Sequence, residues 1–584
     1  MKLLKELNYI FPRSQKWKFV GLFFLILIST CFDFLSVSMI LPFVAIIVSP
    51  EALASKSWYQ LVCRISGSNS PEELIVFLSI FLMCAYTVKN VYRIWLGQLE
   101  TMFLARNQIN MSAKMIDCYM RKPYTFHLQH NTAEIVRSVT NDVGTAFSMV
   151  LSLISLVTNL LITTALIVFL FAVDPVLTLT VVFAIGVCSL LYFLLVKRKL
   201  REYGERNRKI YTDMVKAVHQ AVGGIKEVKI MGREAYFVDA YAKNGDALLR
   251  DRRRYSILGS VPSKLVETLC VAGVLAVVAV EVSAGADMSA IVPTLSAFAV
   301  AVIRLLPCAN SINGILGSIS YQRPCLDSVY EDLKDYEQTE RERKEEIARK
   351  RKMPRKFENS NGNILLENVS YTYPNTEAPV LHDVNLTIQK GTSVGIVGVT
   401  GAGKTTLIDV MLGLLKPQTG AVYYGEEDIQ EDYAEWQRRI GYIPQFIYLA
   451  DETIRRNVAL GVYDDQIDEE KVWQSLEGAQ LADFVRSLPE GLDTVIGERG
   501  VRLSGGQRQR IGIARALYSD PEILFFDEAT SSLDNETEKA VMKSIHLLSG
   551  EKTVIIIAHR LTTLDSCSKI YRVENGCVKE TVIA

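Results

Sequence analysis

Gly398-Val-Thr-Gly-Ala-Gly403-Lys404-Thr405 follows a strand-like Ser393-Val-Gly-Ile-Val and opens a helix-like Thr406-Leu-Ile-Asp-Val-Met-Leu. A glycine-rich loop between strand and helix can wrap successive backbone N–H groups round a polyphosphate at the positive end of the helix. On that reading Gly398, Thr400, Gly401, Ala402 and Gly403 form the cradle and Lys404 reaches the β- and γ-phosphates. Thr405, with Thr406 behind it, brings a hydroxyl to Mg²⁺. ATP and Mg²⁺ are the expected cofactors.

Working outward, Glu522-Ile-Leu-Phe-Phe-Asp527-Glu528 is an apolar run of buried parallel-strand type that ends in two carboxylates. Asp527 is suited to hold Mg²⁺ through its water shell, and Glu528 to polarise an attacking water. Between loop and strand lies Leu503-Ser504-Gly505-Gly506-Gln507, followed by the helical pattern Arg508-Gln-Arg-Ile-Gly-Ile-Ala-Arg-Ala-Leu, a second anion-ready helix start.

The whole chain is too large for one domain, with 584 residues, 49% of them apolar. Its 64 Lys+Arg balance 64 Asp+Glu, which excludes a global polyanion binder, so no nucleic-acid partner is expected. The ten cysteines form no CxxC pair, and each reads as a small buried apolar residue rather than part of a disulfide or zinc framework. Mean hydropathy is +0.18, but the halves differ. Residues 1–330 read as a membrane domain, 331–358 as a charged exposed helix or linker, and 359–584 as an α/β domain.

Six apolar segments reach or approach the ~20 residues that cross a bilayer as helix: 19–48, 74–96, 143–171, 175–196, 258–281 and 289–318. Orientation follows from Lys/Arg asymmetry. The connection Lys197–Arg254 holds sixteen Lys/Arg, and Gly97–Asp142 holds Arg106, Lys114, Arg121, Lys122 and Arg137, whereas Phe171–Val176 and Glu281–Ala290 hold none. The basic connections, the N-terminus and the α/β domain are therefore placed in the cytoplasm, and membrane lipid is an expected partner. The helical periodicity of the basic connections implies extensions beyond the lipid. Residues 49–73, with Trp58 and Tyr59, are expected to face outward and to hold a short interfacial helix.

Charges kept inside apolar spans need a reason, since each costs ~2.5–3.5 kcal/mol at the bilayer centre on insertion scales. Lys89 and Arg93, four apart on one helix face, together with Lys264 and Arg304 outnumber Asp33 and Glu267. One reading is a cation-lined cavity for an anionic head group; the other is internal ion pairing, Lys89 with Asp33 or Arg304 with Glu267.

With Leu503–Gln507 the chain resembles the ATP-binding-cassette family, whose signature is this LSGGQ. The resemblance implies that Glu522–Glu528 is the Walker B strand with Glu528 as catalytic base. It implies that Tyr373 stacks on adenine and that Gln445, in Ile-Pro-Gln, is the Q-loop residue sensing Mg²⁺ and the membrane domain. Ser532-Leu533-Asp534 resembles the D-loop, and His559 the switch histidine on the γ-phosphate. The family sets Ser504, Gly505, Gly506 and Gln507 against ATP held by another subunit, which implies a homodimer with two competent sites.

A membrane half before the cassette resembles the exporter-type half-transporters. The implied fold is a six-helix transmembrane domain with cytoplasmic extensions, followed by an α/β P-loop cassette. Pro123-Tyr-Thr-Phe-His, before Asn131-Thr-Ala-Glu134, resembles a first coupling helix and Gly223-Gly-Ile-Lys-Glu-Val-Lys a second. Ala301-Val-Ile-Arg304-Leu-Leu-Pro307-Cys-Ala-Asn310 resembles the sixth helix of lipid-linked oligosaccharide flippases of the protein-glycosylation type. Met39-Ile-Leu-Pro42-Phe agrees, while Pro262-Ser-Lys264 and Lys89 put lysine where that group has arginine. The implied substrate is an anionic polyprenyl-pyrophosphate-linked oligosaccharide, moved at a bacterial inner membrane. A general lipid A, lipid or drug exporter, and a non-pumping channel or regulator on the same cassette, stay open.

Overall fold

The computed structural model describes residues 2–39, 71–173, 175–283, 288–350, 362–528, 552–557 and 567–581, with a few isolated positions between them. The chain divides into two compact units, one of Met1–Lys122 with His130–Gln338 and one of Pro123–Gln129 with Thr339–Ala584.

The first unit is helical. It holds α1 (Lys2–Ile10), α2 (Arg13–Ser38), α3 (Pro71–Met120), α5 (Thr132–Arg137), α6 (Val143–Val173), α7 (Pro175–Gly223), α8 (Ile225–Met231), α9 (Glu234–Ser283) and most of α10 (Met288–Lys350), while α4 (Tyr124–Gln129) belongs to the second unit. At 1.5 Å per residue the 50 residues of α3 run ~75 Å, more than twice a hydrocarbon core of ~30 Å. Among the described residues Gln15–Asp33, Glu72–Met120 and Thr132–Val168 contain stretches long and apolar enough to cross a membrane. The expected spans 175–196, 258–281 and 289–318 fall within α7, α9 and α10, and many of their side chains lie outside the description. So do most of 49–73, the expected outer loop, and Pro42.

Leu22 and Ile26 of α2 are buried against Leu96 of α3, and the Tyr92 hydroxyl donates to the Leu25 carbonyl at 3.0 Å. A π-helical turn, Ser138–Asp142, joins α5 to α6. It carries Asp142, fully buried between Arg137 (3.2 Å) and Arg208 (2.8 Å), and such a charge is tolerated only when paired.

The segment read as a charged linker begins as helix, because α10 continues unbroken to Lys350. Its Glu, Arg, Lys and Gln residues are good helix formers, and Glu340–Arg343 (3.7 Å) is an i,i+3 pair. Residues 351–361 lie outside the description. The cysteine reading needs correction. Cys118 and Cys325 are buried, their thiols pushed up by desolvation to about 11 and about 12, but Cys31, Cys84 and Cys577 are exposed.

The second unit is built on a six-stranded sheet of order β10-β9-β3-β8-β7-β6, with β3 (Ser393–Val397), β6 (Ile440–Ile443), β7 (Ile523–Asp527), β8 (Thr553–Ile557), β9 (Lys569–Glu574) and β10 (Cys577–Thr581). All neighbours are parallel except β9 and β10. A four-stranded antiparallel sheet, β2-β1-β4-β5, adds β1 (Ile364–Tyr371), β2 (Leu381–Ile388), β4 (Thr419–Tyr424) and β5 (Glu427–Asp428). Every residue of β7 and β8 is buried. Successive side chains of a strand point to opposite faces, and here Leu524, Phe526, Val554 and Ile556 enter one core while Ile523, Phe525, Ile555 and Ile557 enter the other. Each phenylalanine so buried contributes about 1.5–3 kcal/mol. The sheet is thereby clamped from both sides.

Candidate nucleotide site

The P-loop leaves β3 and enters α11 (Lys404–Met411), whose N-cap is Gly403 at φ 104°, a conformation that favours glycine. At Gly398 a Cβ would lie 2.4 Å from the Val573 carbonyl, so the backbone there also admits only glycine. Lys404 is buried, and its ammonium donates to the carbonyls of Gly398 (2.8 Å) and Val399 (3.3 Å). Those are weak partners for a desolvated cation, readily exchanged for phosphate oxygens. Gly401 and Thr405 are exposed, Ala402 and Thr406 buried.

Tyr373 comes to the same loop. Its hydroxyl lies 3.1 Å from Thr406 Oγ1, and its ring stands edge-on to Tyr371 with centroids 5.1 Å apart.

Asp527 ends β7, almost fully buried, with Tyr442 donating to it at 3.4 Å. Burial, then the adjacent Glu528, push its carboxyl above the usual range. Glu528 follows at φ 50°, a strained backbone for a non-glycine residue. Its amide donates to the Ile557 carbonyl at 3.1 Å, and the Gln445 amide donates to its carboxylate at 2.7 Å. The structure thus brings Gln445 and Glu528 together.

Ser504 caps α13 (Gly505–Tyr518): Ser504 Oγ accepts from the Gln507 amide at 3.2 Å, and the Ser504 amide donates to Gln507 Oε1 at 2.9 Å. This reciprocal box leaves the amides of Gly505 and Gly506 at the helix start as donors for an anion. Asp534, expected in a D-loop, and His559, the expected switch histidine, lie outside the described residues.

Sequence reasoning missed Asp409. It sits on α11, half-buried, its carboxyl raised to about 6 by desolvation and then by Asp527. Tyr124 of α4 lies within electrostatic range of Asp409 and Tyr373. An acid within the apolar run Leu407-Ile-Asp-Val-Met was the available signal. Tyr442, at the end of β6, had none.

Of the intramembrane cations, Lys89 is buried and paired with Asp33 at 2.6 Å, while Arg93, largely exposed, approaches Asp33 at 3.7 Å. Lys264, exposed, pairs with Glu267 at 2.9 Å. Arg304 lies in α10, and its side chain is outside the description.

Residues 381–531 match the family model described as ABC transporter, and residues 19–304 the model described as ABC transporter transmembrane region. The chain belongs to the ABC transporters. It is 27% identical over 496 residues to the ATP-dependent lipid A-core flippase of Cupriavidus pinatubonensis, covering 84% of this chain and 82% of that one. To the ATP-dependent lipid A-core flippase of Methylobacillus flagellatus it is 32% identical over 408 residues, 69% of this chain and 66% of the other. A solved structure of a bacterial Atm1-family ABC exporter with ATP bound matches with a TM-score of 0.77 at 20% identity, over 97% of this chain and 95% of that one, which establishes the shared fold. This ABC transporter is a multi-pass membrane protein of the exporter half-transporter type and an ATPase that couples hydrolysis to transport.

Proposed function

We propose that this transporter is an ATP-driven flippase or exporter of a lipid amphiphile with an anionic head group. It works as a homodimer of six-span chains in a bacterial inner membrane, with cassettes and N-termini in the cytoplasm. The observation that carries this reading is similarity to lipid A-core flippases across both halves of the chain. The pairing of Lys89 with Asp33 also spends one of the cations that a pyrophosphate site would need. A polyprenyl-pyrophosphate-linked oligosaccharide is the second reading, supported by Arg304-Leu-Leu-Pro307; Arg93 and Arg304 are the head-group residues on either.

Thr405, Gln445 and Asp527 would hold Mg²⁺, which when bound neutralises phosphate charge. They fit a hard cation: all offer oxygen, Thr405 is exposed, and the buried Asp527 makes no ion pair among the described residues. Lys404 orients the phosphates, Gln445 holds the Glu528 carboxylate, and Glu528 takes the proton of the attacking water.

The test is ATPase activity in lipid nanodiscs containing either a bisphosphorylated acylated glucosamine lipid or a polyprenyl-pyrophosphate oligosaccharide, comparing wild type with Arg93→Ala and Arg304→Ala. Stimulation by the glycolipid, lost in the variants, is expected. Stimulation by the polyprenyl lipid alone would favour the second reading, and no response to either would overturn both.

A further inference from the structure

The loop that carries Gln445 is fastened to the signature helix α13 at two independent points. Ile447 lies on Gly512: a Cβ there would fall 2.4 Å from Ile447 Cδ1 and 2.9 Å from its Cγ1. Glycine in a helix interior costs about 1 kcal/mol relative to alanine, so its presence at a buried mid-helix position has a packing reason. One turn further, Arg515 donates Nη1 to the Tyr448 carbonyl at 2.7 Å, Nε to the Asn457 carbonyl at 2.8 Å and Nη2 to Asn457 Oδ1 at 3.3 Å.

Asn457, on α12 (Ile454–Val458), is fully buried and extends the fastening. Its side-chain amide donates to the carbonyls of Ala450 (3.0 Å) and Thr453 (3.1 Å), and its Oδ1 accepts from the Ala450 amide at 3.0 Å. Tyr448 and Ala450 are therefore both tied, directly or through Asn457, to one guanidinium.

That guanidinium makes no ion pair among the described residues, and desolvation pulls its pKa below the usual range. Arg515 is partly buried, and a charge withdrawn from water is costly unless it is compensated. Carbonyl dipoles compensate the charge only while the loop stays in this place, and a lysine cannot span three acceptors.

We propose that Gly512 and Arg515 make the Gln445 loop and α13 move as one body, so that any displacement of Gln445 at Glu528 is delivered to Ser504 at the start of the helix. Arg515 lies ten residues into α13, ~15 Å along its axis. Neither residue belongs to the nucleotide cradle, so both are positioning residues for turnover rather than for ATP binding.

The test uses the purified full-length transporter in lipid, reading kcat, KM for ATP, affinity for a fluorescent ATP analogue and apparent Tm. Arg515→Met should lower kcat about 10- to 100-fold, as expected for misplaced catalytic groups, with KM and analogue affinity within about twofold of wild type. Arg515→Lys should not rescue it. Gly512→Ala should show the same split, and adding Ile447→Ala, which vacates the space the new methyl needs, should restore most of the lost turnover. A folded Arg515→Met protein with wild-type kcat would overturn the proposal, as would a loss of analogue affinity equal to the loss of kcat. If Arg515→Met does not fold, the Gly512 and Ile447 pair decides: rescue supports the fastening, and additive losses overturn it.

Discussion

The side-chain amide of Gln445 donates to the Glu528 carboxylate at 2.7 Å, across the gap between the end of β6 and the end of β7. Glu528 is held there with a left-handed backbone, so its carboxylate is aimed by strain on one side and by an amide on the other. Glu528→Gln should lower ATP turnover by at least about 100-fold, the usual contribution of a general base, and leave ATP binding intact. Equilibrium binding beside single-turnover hydrolysis checks this; preserved hydrolysis would remove Glu528 from the role.

Lys404 donates to two carbonyls, Gly398 at 2.8 Å and Val399 at 3.3 Å, which on the proposed reading it would exchange for phosphate oxygens. Charge-assisted bonds to phosphate are about twice as strong as neutral ones, so Lys404→Ala should weaken ATP binding by about tenfold or more. Titration with a fluorescent analogue measures it, and unchanged affinity would contradict the assignment.

Asp409 sets a pH dependence. Its carboxyl is raised from 3.8 to about 6, so the folded cassette binds this proton more tightly than the unfolded chain. The stability it lends is fully present below 3.8 and is lost as pH rises through about 6. Asp409→Asn should flatten apparent Tm against pH between 4 and 6 and raise it at pH 7. A variant whose profile parallels wild type would refute this.

Asp33 and Lys89 are a buried pair at 2.6 Å, and removing one partner strands the other. Asp33→Ala should destabilise the membrane unit by about 3–5 kcal/mol, while Asp33→Leu with Lys89→Met should be close to neutral. Thermal unfolding in detergent, with Lys89→Met measured alongside, distinguishes the two; a loss in the double variant equal to the sum of the single losses would mean that the charges act separately.

What was legible in the sequence was what lies close along the chain. Gly398–Thr405 between an apolar strand and a helix places β3 and α11, and Phe525-Phe526 before Asp527 places β7. The antiparallel sheet was not legible, because Ile364–Tyr371 and Thr419–Tyr424 pair across a long interval without a turn signal joining them. Lys89 was open between a head-group ligand, because periodicity puts it beside Arg93, and an ion pair with Asp33; the choice depends on how α2 and α3 pack, and the pair is what forms. Arg515 read as one more residue of the helical pattern after Gln507, and its purpose emerges only when Tyr448 and Asn457 arrive from other elements.

The most direct test of ATP-driven lipid transport is flipping of a fluorescently labelled bisphosphorylated acylated glucosamine lipid in proteoliposomes, followed by quenching from outside. With cassettes facing outward, ATP should drive labelled lipid from the outer to the inner leaflet in wild type and in no Glu528→Gln sample. Translocation that proceeds equally without ATP, or that persists in Glu528→Gln, would contradict the account.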